Sequence, residues 1–171
     1  EVRDLTEKKI ALVEDNIWRS GFSNIEARVQ DATEYDPASE KKADLLIADL
    51  PCSGLGIIGR KPDIRYNMTE EQTRELAKLQ REILSVVWQY VKPGGTMVFS
   101  TCTVDPAENE ENVRWILSQL PFEPVDLTDR MGDALAETLL EDTRKKGYVQ
   151  LLPGFYPGDG FFISVLRRKE E

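Results

Sequence analysis

Short apolar runs of strand length alternate along this chain with capped amphipathic stretches of helix length, and that alternation leaves few folds open. Asp44-Leu45-Leu46-Ile47-Ala48-Asp49 is a compact apolar run followed by turn signals, which suits a buried parallel strand. A loop punctuated by Gly and Pro follows from Pro51 to about Met68. Thr69 then caps a long helix, with Gln72 where a capping box needs it, and Leu76, Leu79, Ile83, Val87 and Tyr90 recur at helical spacing as its core face. Lys92-Pro93-Gly94-Gly95 ends that helix, and Thr96 to Thr101 reads as the next strand.

The same grammar extends in both directions. Val2 to Asp4 reads as the end of a strand. Thr6 caps a helix from about Glu7 to Ser20, with Ile10, Val13 and Ile17 on one face and Gly21 as its stop. Asn24 to Val29 is a strand running out at Asp31. Downstream, Asp105 caps a helix with Pro106 at its first position and Glu108 at its third, and Val113, Ile116, Leu117 and Leu120 form the buried face. Glu123 to Leu127 reads as a strand, 128–147 as polar chain with a short helix around Ala134 to Leu140, and Phe161 to Leu166 as a last strand. The fold class is α/β, with a mostly parallel sheet.

In such sheets ligands bind beyond the carboxyl ends of the strands. Three predicted strands end in an acid, Asp4, Asp31 and Asp49, and a fourth ends in Thr101-Cys102, so these residues are expected along one sheet edge. Gly54-Leu55-Gly56-Ile57-Ile58-Gly59 matches the dinucleotide fingerprint G-x-G-x-x-G, but Pro51-Cys52-Ser53 separates it from the strand and Arg60-Lys61-Pro62 follows where a helix should open. Its glycines are better read as letting a loop bend tightly over a site.

Composition narrows the chemistry. The 171 residues suit one domain, and no stretch approaches the roughly 20 apolar residues that span a bilayer. The first residues lack the features of a signal peptide and lack Met, as expected of a piece cut from a longer protein. Cys52 and Cys102 are too few for a disulfide framework, and they suit a cytoplasmic protein with reduced thiols. The absence of histidine removes the Ser-His-Asp triad, the Cys-His dyad and nearly every usual zinc site, so no metal is expected. A formal net charge of −9 argues against a free-standing nucleic-acid binder. Local basic clusters do occur, at Arg60-Lys61 with Arg65, at Arg144-Lys145-Lys146 and at Arg167-Arg168-Lys169.

Asp49-Leu50-Pro51-Cys52 and Ser100-Thr101-Cys102-Thr103 each set a cysteine just past a strand end. With Pro62-Asp63-Ile64-Arg65, Lys92-Pro93-Gly94-Gly95 and Asp159-Gly160-Phe161-Phe162, they closely resemble the Sun-type (RsmB-like) RNA (cytosine-5)-methyltransferases, from Asp4 to about Leu166. The resemblance implies a Rossmann-like class I fold using S-adenosylmethionine and an RNA substrate, small-subunit (16S) ribosomal RNA in the name-giving members. It implies that Cys102 attacks carbon 6 of cytosine so that carbon 5 can take a methyl group, that Cys52 assists release, and that Asp49 contacts the cytosine edge. Asp4 matches the acid on the cofactor's ribose hydroxyls and Asp31 the acid near its adenine, with Asp49 beside the cofactor as well. Arg60, Lys61 and Arg65 stand as candidates for RNA phosphates, or for the cation that lowers a thiol pKa.

The chain departs from the family pattern at its start. The family carries a Gly-rich loop with a Pro-Gly-Gly-Lys-like core just upstream of the acid matched by Asp4, and this sequence begins after it. The resemblance therefore implies a fold truncated at the N-terminus. It implies a gap between the strands ending at Asp4 and Asp49, loss of the cradle for the cofactor's methionine part, and a separate N-terminal RNA-binding region in the parent protein. Two rivals remain. A DNA cytosine-5 methyltransferase would use the Pro-Cys cysteine as nucleophile with a Glu-Asn-Val string, yet Glu111-Asn112-Val113 falls on a predicted helix after the Thr-Cys string. The other is a non-catalytic RNA-binding fragment, against which intact Asp49, Cys52 and Cys102 speak for the parent protein but not for the fragment.

Overall fold

The computed structural model describes residues 1–170. The chain divides into two compact units, Glu1–Pro37 and a larger one from Ala38 onward. The first unit is a β-α-β turn of chain: β1 (Val2–Asp4), α1 (Glu7–Ser20) and β2 (Ala27–Val29), the two strands paired in parallel. Thr6 caps α1 by accepting the Lys9 amide. Gly21 ends it in the left-handed region at φ 71°, returning its amide to the Trp18 carbonyl at 3.2 Å.

The second unit is built on a five-stranded sheet of order β3-β4-β7-β5, with β6 pairing β7. Its strands are β3 (Ala43–Asp49), β4 (Val91–Thr101), β5 (Phe122–Pro124), β6 (Tyr148–Leu151) and β7 (Phe161–Arg168). Its helices are α2 (Ile64–Asn67), α3 (Glu70–Val87), α4 (Glu110–Gln119) and the short α5 (Asp133–Ala136). The sheet is mixed: β3 and β4 run parallel, and β7 lies antiparallel to β4, β5 and β6. β3, β4, β5 and β6 therefore share one direction, as the expected mostly parallel sheet requires, and β7 alone is reversed, following β6 through a connection without a helix, as an antiparallel neighbour can.

β6 has no counterpart in the sequence reading. Tyr148 to Leu151 follows a polar stretch, and only its pairing with β7 makes it a strand. β3 pairs with β4 alone among the described residues, and Leu45 and Ile47, which share one face, are 55% and 68% exposed. The parallel strand expected from its apolar run is met along its β4 edge, and its other edge lies on the side where the resemblance leaves a gap. No strand pairing joins the β1–β2 ladder to the β3 ladder among the described residues.

The core lies where β4 and β7 meet α3 and α4. Met97, Phe99, Leu84, Ile116, Phe162 and Leu166 are fully buried, and the Phe99 and Phe162 rings meet edge to face at 5.8 Å. The capping box of α3 is formed: Thr69 accepts from the Gln72 amide, and the Gln72 side chain accepts from the Thr69 amide at 2.9 Å. No helix of the described residues is long and apolar enough to cross a membrane. Thr69→Ala should lower the unfolding free energy by about 1 kcal/mol, read as a shifted denaturant midpoint with an unchanged slope.

Candidate active site

Because β3 and β4 run parallel, their last residues, Asp49 and Thr101, finish at the same edge of the sheet. The two chains then stay in register: the Leu50 amide donates to the Ser100 carbonyl at 3.2 Å, and the Ser100 hydroxyl donates to Asp49 Oδ1 at 3.0 Å. That continuation carries Cys52 and Cys102 to one point, with sulfurs 3.3 Å apart and both half-buried. Burial, and then the hydrogen bond to Cys102, push the Cys52 thiol up to about 12. At neutral pH Cys52 is thus a protonated thiol facing a second sulfur, and a neutral S–H is a donor rather than a nucleophile.

The loop between them is held by close backbone approach. Gly54 sits at φ 71°, in the left-handed region. The Gly56 amide donates to the Cys102 carbonyl at 3.0 Å, and the Gly160 amide returns to the Gly56 carbonyl at 2.8 Å. A Cβ on Gly56 would stand 2.3 Å from the Gly160 oxygen and 2.8 Å from the Cys102 oxygen. The glycines of the G-x-G-x-x-G string thus fold a loop against the site and open no helix toward a phosphate.

Glu108 was missed as a site residue. Read as the third residue of a helix cap, it instead lies before α4 and is wholly buried. Its Oε2 accepts the Ser53 amide at 3.0 Å and the Gln80 amide group at 2.9 Å, and its Oε1 accepts the Ser53 hydroxyl. Gln80 also donates to the Pro51 carbonyl at 2.9 Å and accepts from Asn112 at 2.6 Å. Ser53 and Thr103 share a hydrogen bond at 2.7 Å, and Asn109 donates to the Thr103 carbonyl at 3.0 Å. The residues flanking both cysteines are therefore fastened to one buried polar cluster. The signal available in the sequence was Gln80, a polar residue on the same helical face as Ala77, Leu84 and Val87.

The remaining candidates are placed as follows. Asp4 ends β1 and Asp31 lies just past β2, both at the carboxyl edge of that parallel pair. Asp4 Oδ1 accepts the Leu5 amide at 2.7 Å and faces the Lys9 ammonium at 3.3 Å. Asp31 Oδ1 accepts the hydroxyl and amide of Thr33, which hold its carboxyl below the ordinary range. Arg60 is committed to an ion pair with Asp159. Arg65 is exposed beside Tyr66, and Lys61 is exposed on the same loop.

The family of 16S rRNA methyltransferases RsmB/F matches residues 2–167. This chain belongs to that family. It is 37% identical to the probable ribosomal RNA small subunit methyltransferase B of Bacillus subtilis (strain 168) over 97% of its own length and 37% of the relative's. It is 37% identical to ribosomal RNA small subunit methyltransferase B of Salmonella paratyphi B, with 97% and 36% coverage. The chain thus spans little more than a third of the curated relatives it matches. The crystal structure of NSun6 from Pyrococcus horikoshii with SFG superposes at a TM-score of 0.82 with 25% identity, over 99% of this chain and 41% of that one. The Rossmann-like fold of class I S-adenosylmethionine-dependent methyltransferases, expected from the sequence, is the fold of the chain.

Two measurements test the site's physics. Burial pushes the Glu108 carboxyl up, against the lowering by its Ser53 and Gln80 donors. Folded Glu108 thus keeps its proton to higher pH than the unfolded side chain. The stability it lends is fully present below the ordinary carboxylate value and is lost as pH rises through the folded value. Thermal unfolding across pH should show Glu108→Gln gaining on wild type as pH rises, while Glu108→Ala costs roughly 1–3 kcal/mol for each buried donor it orphans. Mass-spectrometric alkylation should show Cys52 reacting slowly at pH 8 and speeding up until about pH 12; a rate that levels off near pH 9 would contradict its assigned state.

Proposed function

We propose that this chain is the catalytic part of an enzyme that methylates carbon 5 of a cytosine in small-subunit ribosomal RNA in the cytoplasm, through a covalent cysteine adduct. The 3.3 Å contact between Cys52 and Cys102 at the carboxyl edge of β3 and β4 carries this reading. Membership of the 16S rRNA methyltransferase family supports the RNA substrate, and the SFG held by NSun6, an S-adenosylmethionine analogue, supports the cofactor. Carboxylates at the carboxyl edge of the β1–β2 pair suit that cofactor, Asp4 as acceptor for ribose hydroxyls and Asp31 for the adenine amino group. When bound, S-adenosylmethionine supplies an electrophilic methyl group.

The chain's own residues do the rest. Cys102 is the nucleophile. Its sulfur bonds to carbon 6 of the cytosine, and the displaced π electrons make carbon 5 an enamine carbon able to take a methyl group. Cys52 Sγ stands 3.3 Å from the Cys102 sulfur, within hydrogen-bond reach of the attacking atom. Asp49, fixed by Ser100, contacts the cytosine edge. After methylation, carbon 5 loses its proton to a base, the carbon 5–carbon 6 double bond re-forms, and the carbon 6–sulfur pair returns to Cys102. Cys52, still facing that sulfur, assists its departure.

The DNA-type arrangement is disfavoured because Asn112 of the Glu-Asn-Val string is turned into the buried cluster under the cysteine loops. The decisive experiment is a denaturing gel of the full-length protein with labelled RNA. Cys102→Ala should form no adduct and transfer no methyl group, and Cys52→Ala should accumulate a protein–RNA adduct. The opposite pattern would assign the nucleophile to Cys52, and normal methylation by both variants would make the cysteines structural.

A further inference from the structure

Between the cysteine loop and α2 lies a cavity of about 410 Å³ that the reaction proposed above does not use. Leu55, Gly56, Ile58 and Pro62 give it apolar walls, and Arg65 and Tyr66 stand on α2 at its side. Asp49, Cys52 and Cys102 do not line it, so the base attacked by Cys102 is not its occupant. It nevertheless adjoins the attack point, because Gly56, one of its walls, donates its amide to the Cys102 carbonyl at 3.0 Å.

Two of its residues are unspent. Tyr66 is 80% exposed, a large aromatic face left to water. The Arg65 guanidinium has no ion pair or hydrogen bond among the described residues, in contrast to Arg60, which is held by Asp159. An apolar hollow of this size with one aromatic face and one free guanidinium has the chemistry of an unpaired base stacked on an aromatic ring with its phosphate on a cation. On a chain of net charge −9, free cations at Arg65 and Lys61 beside the cavity mark where an RNA backbone can approach.

We propose that this cavity is a nucleobase subsite. It would hold a nucleotide flanking the target cytosine in single-stranded RNA, stacked on Tyr66 with its phosphate at Arg65. The proposal rests on the reading of the chain as an RNA methyltransferase. It deepens that reading by requiring that two neighbouring bases, not one, leave their stacks to engage the protein.

The test uses the full-length protein and synthetic single-stranded RNAs carrying 2-aminopurine on either side of the target cytosine. Binding should quench the fluorophore at one flanking position in wild type and in Tyr66→Phe, which keeps the ring. Tyr66→Ala should lose the quench and raise KM for RNA about tenfold, the effect falling on KM rather than kcat. Arg65→Met should raise KM and flatten its salt dependence. An equal quench in Tyr66→Ala, or a loss confined to kcat, would overturn the subsite. Absence of any quench in wild type would overturn it too, and leave the cavity to a peptide partner. A Tyr66-dependent quench without cysteine adduct or methyl transfer would uphold the subsite while sinking the cytosine-methylation reading, so the two can fail separately.

Discussion

A carboxylate taken wholly out of water must find donors, and Glu108 finds them in the loop that carries Cys52. That single requirement organises the site. One oxygen takes the amide of the residue after Cys52 and the side chain of Gln80. Gln80 in turn holds the carbonyl of the residue before Cys52. Ser53 passes the constraint to Thr103, the residue after Cys102. Two loops leaving adjacent parallel strands are fixed to each other from below, and the two sulfurs face each other as a result. An apolar cluster of the same volume could fill the space, but it could not dictate the direction of two backbone segments to within a hydrogen bond.

Much of this architecture was legible. The capped helices were readable because their signals are local: Thr6 and Gly21 bracket α1, and Thr69 with Gln72 opens α3. The convergence of Asp49 and the two cysteines followed from strand ends alone. What the sequence hid was non-local. β6 exists because β7 offers it an edge, and nothing within Tyr148 to Leu151 announces that. Glu108 carries the same letters whether it caps a helix or descends into the core, and its fate is decided by Ser53 and Gln80, 55 and 28 residues earlier.

The site also divides its labour between a rigid floor and an open wall. The floor, made of Ser53, Gln80, Thr103, Glu108, Asn109 and Asn112, is buried and hydrogen bonded, which suits a pair of sulfurs whose separation matters chemically. The wall, from Ile58 to Tyr66, is exposed and carries side chains waiting for partners. Gly56 is where the two meet, pressed between the Cys102 and Gly160 carbonyls.

β7 has a consequence for how such a chain comes to be folded. It is the last strand in sequence, yet it lies between β4 on one side and β5 and β6 on the other. On a ribosome, α3 can coil and β3 can meet β4 as soon as they emerge, but three strands must wait for a partner not yet synthesised. Gly160, which clamps Gly56, arrives with it. The cysteine-bearing loop therefore takes its final shape only after β7 has been made. Until then the exposed strands are what a chaperone would recognise, and the nascent protein has two thiols but no assembled site.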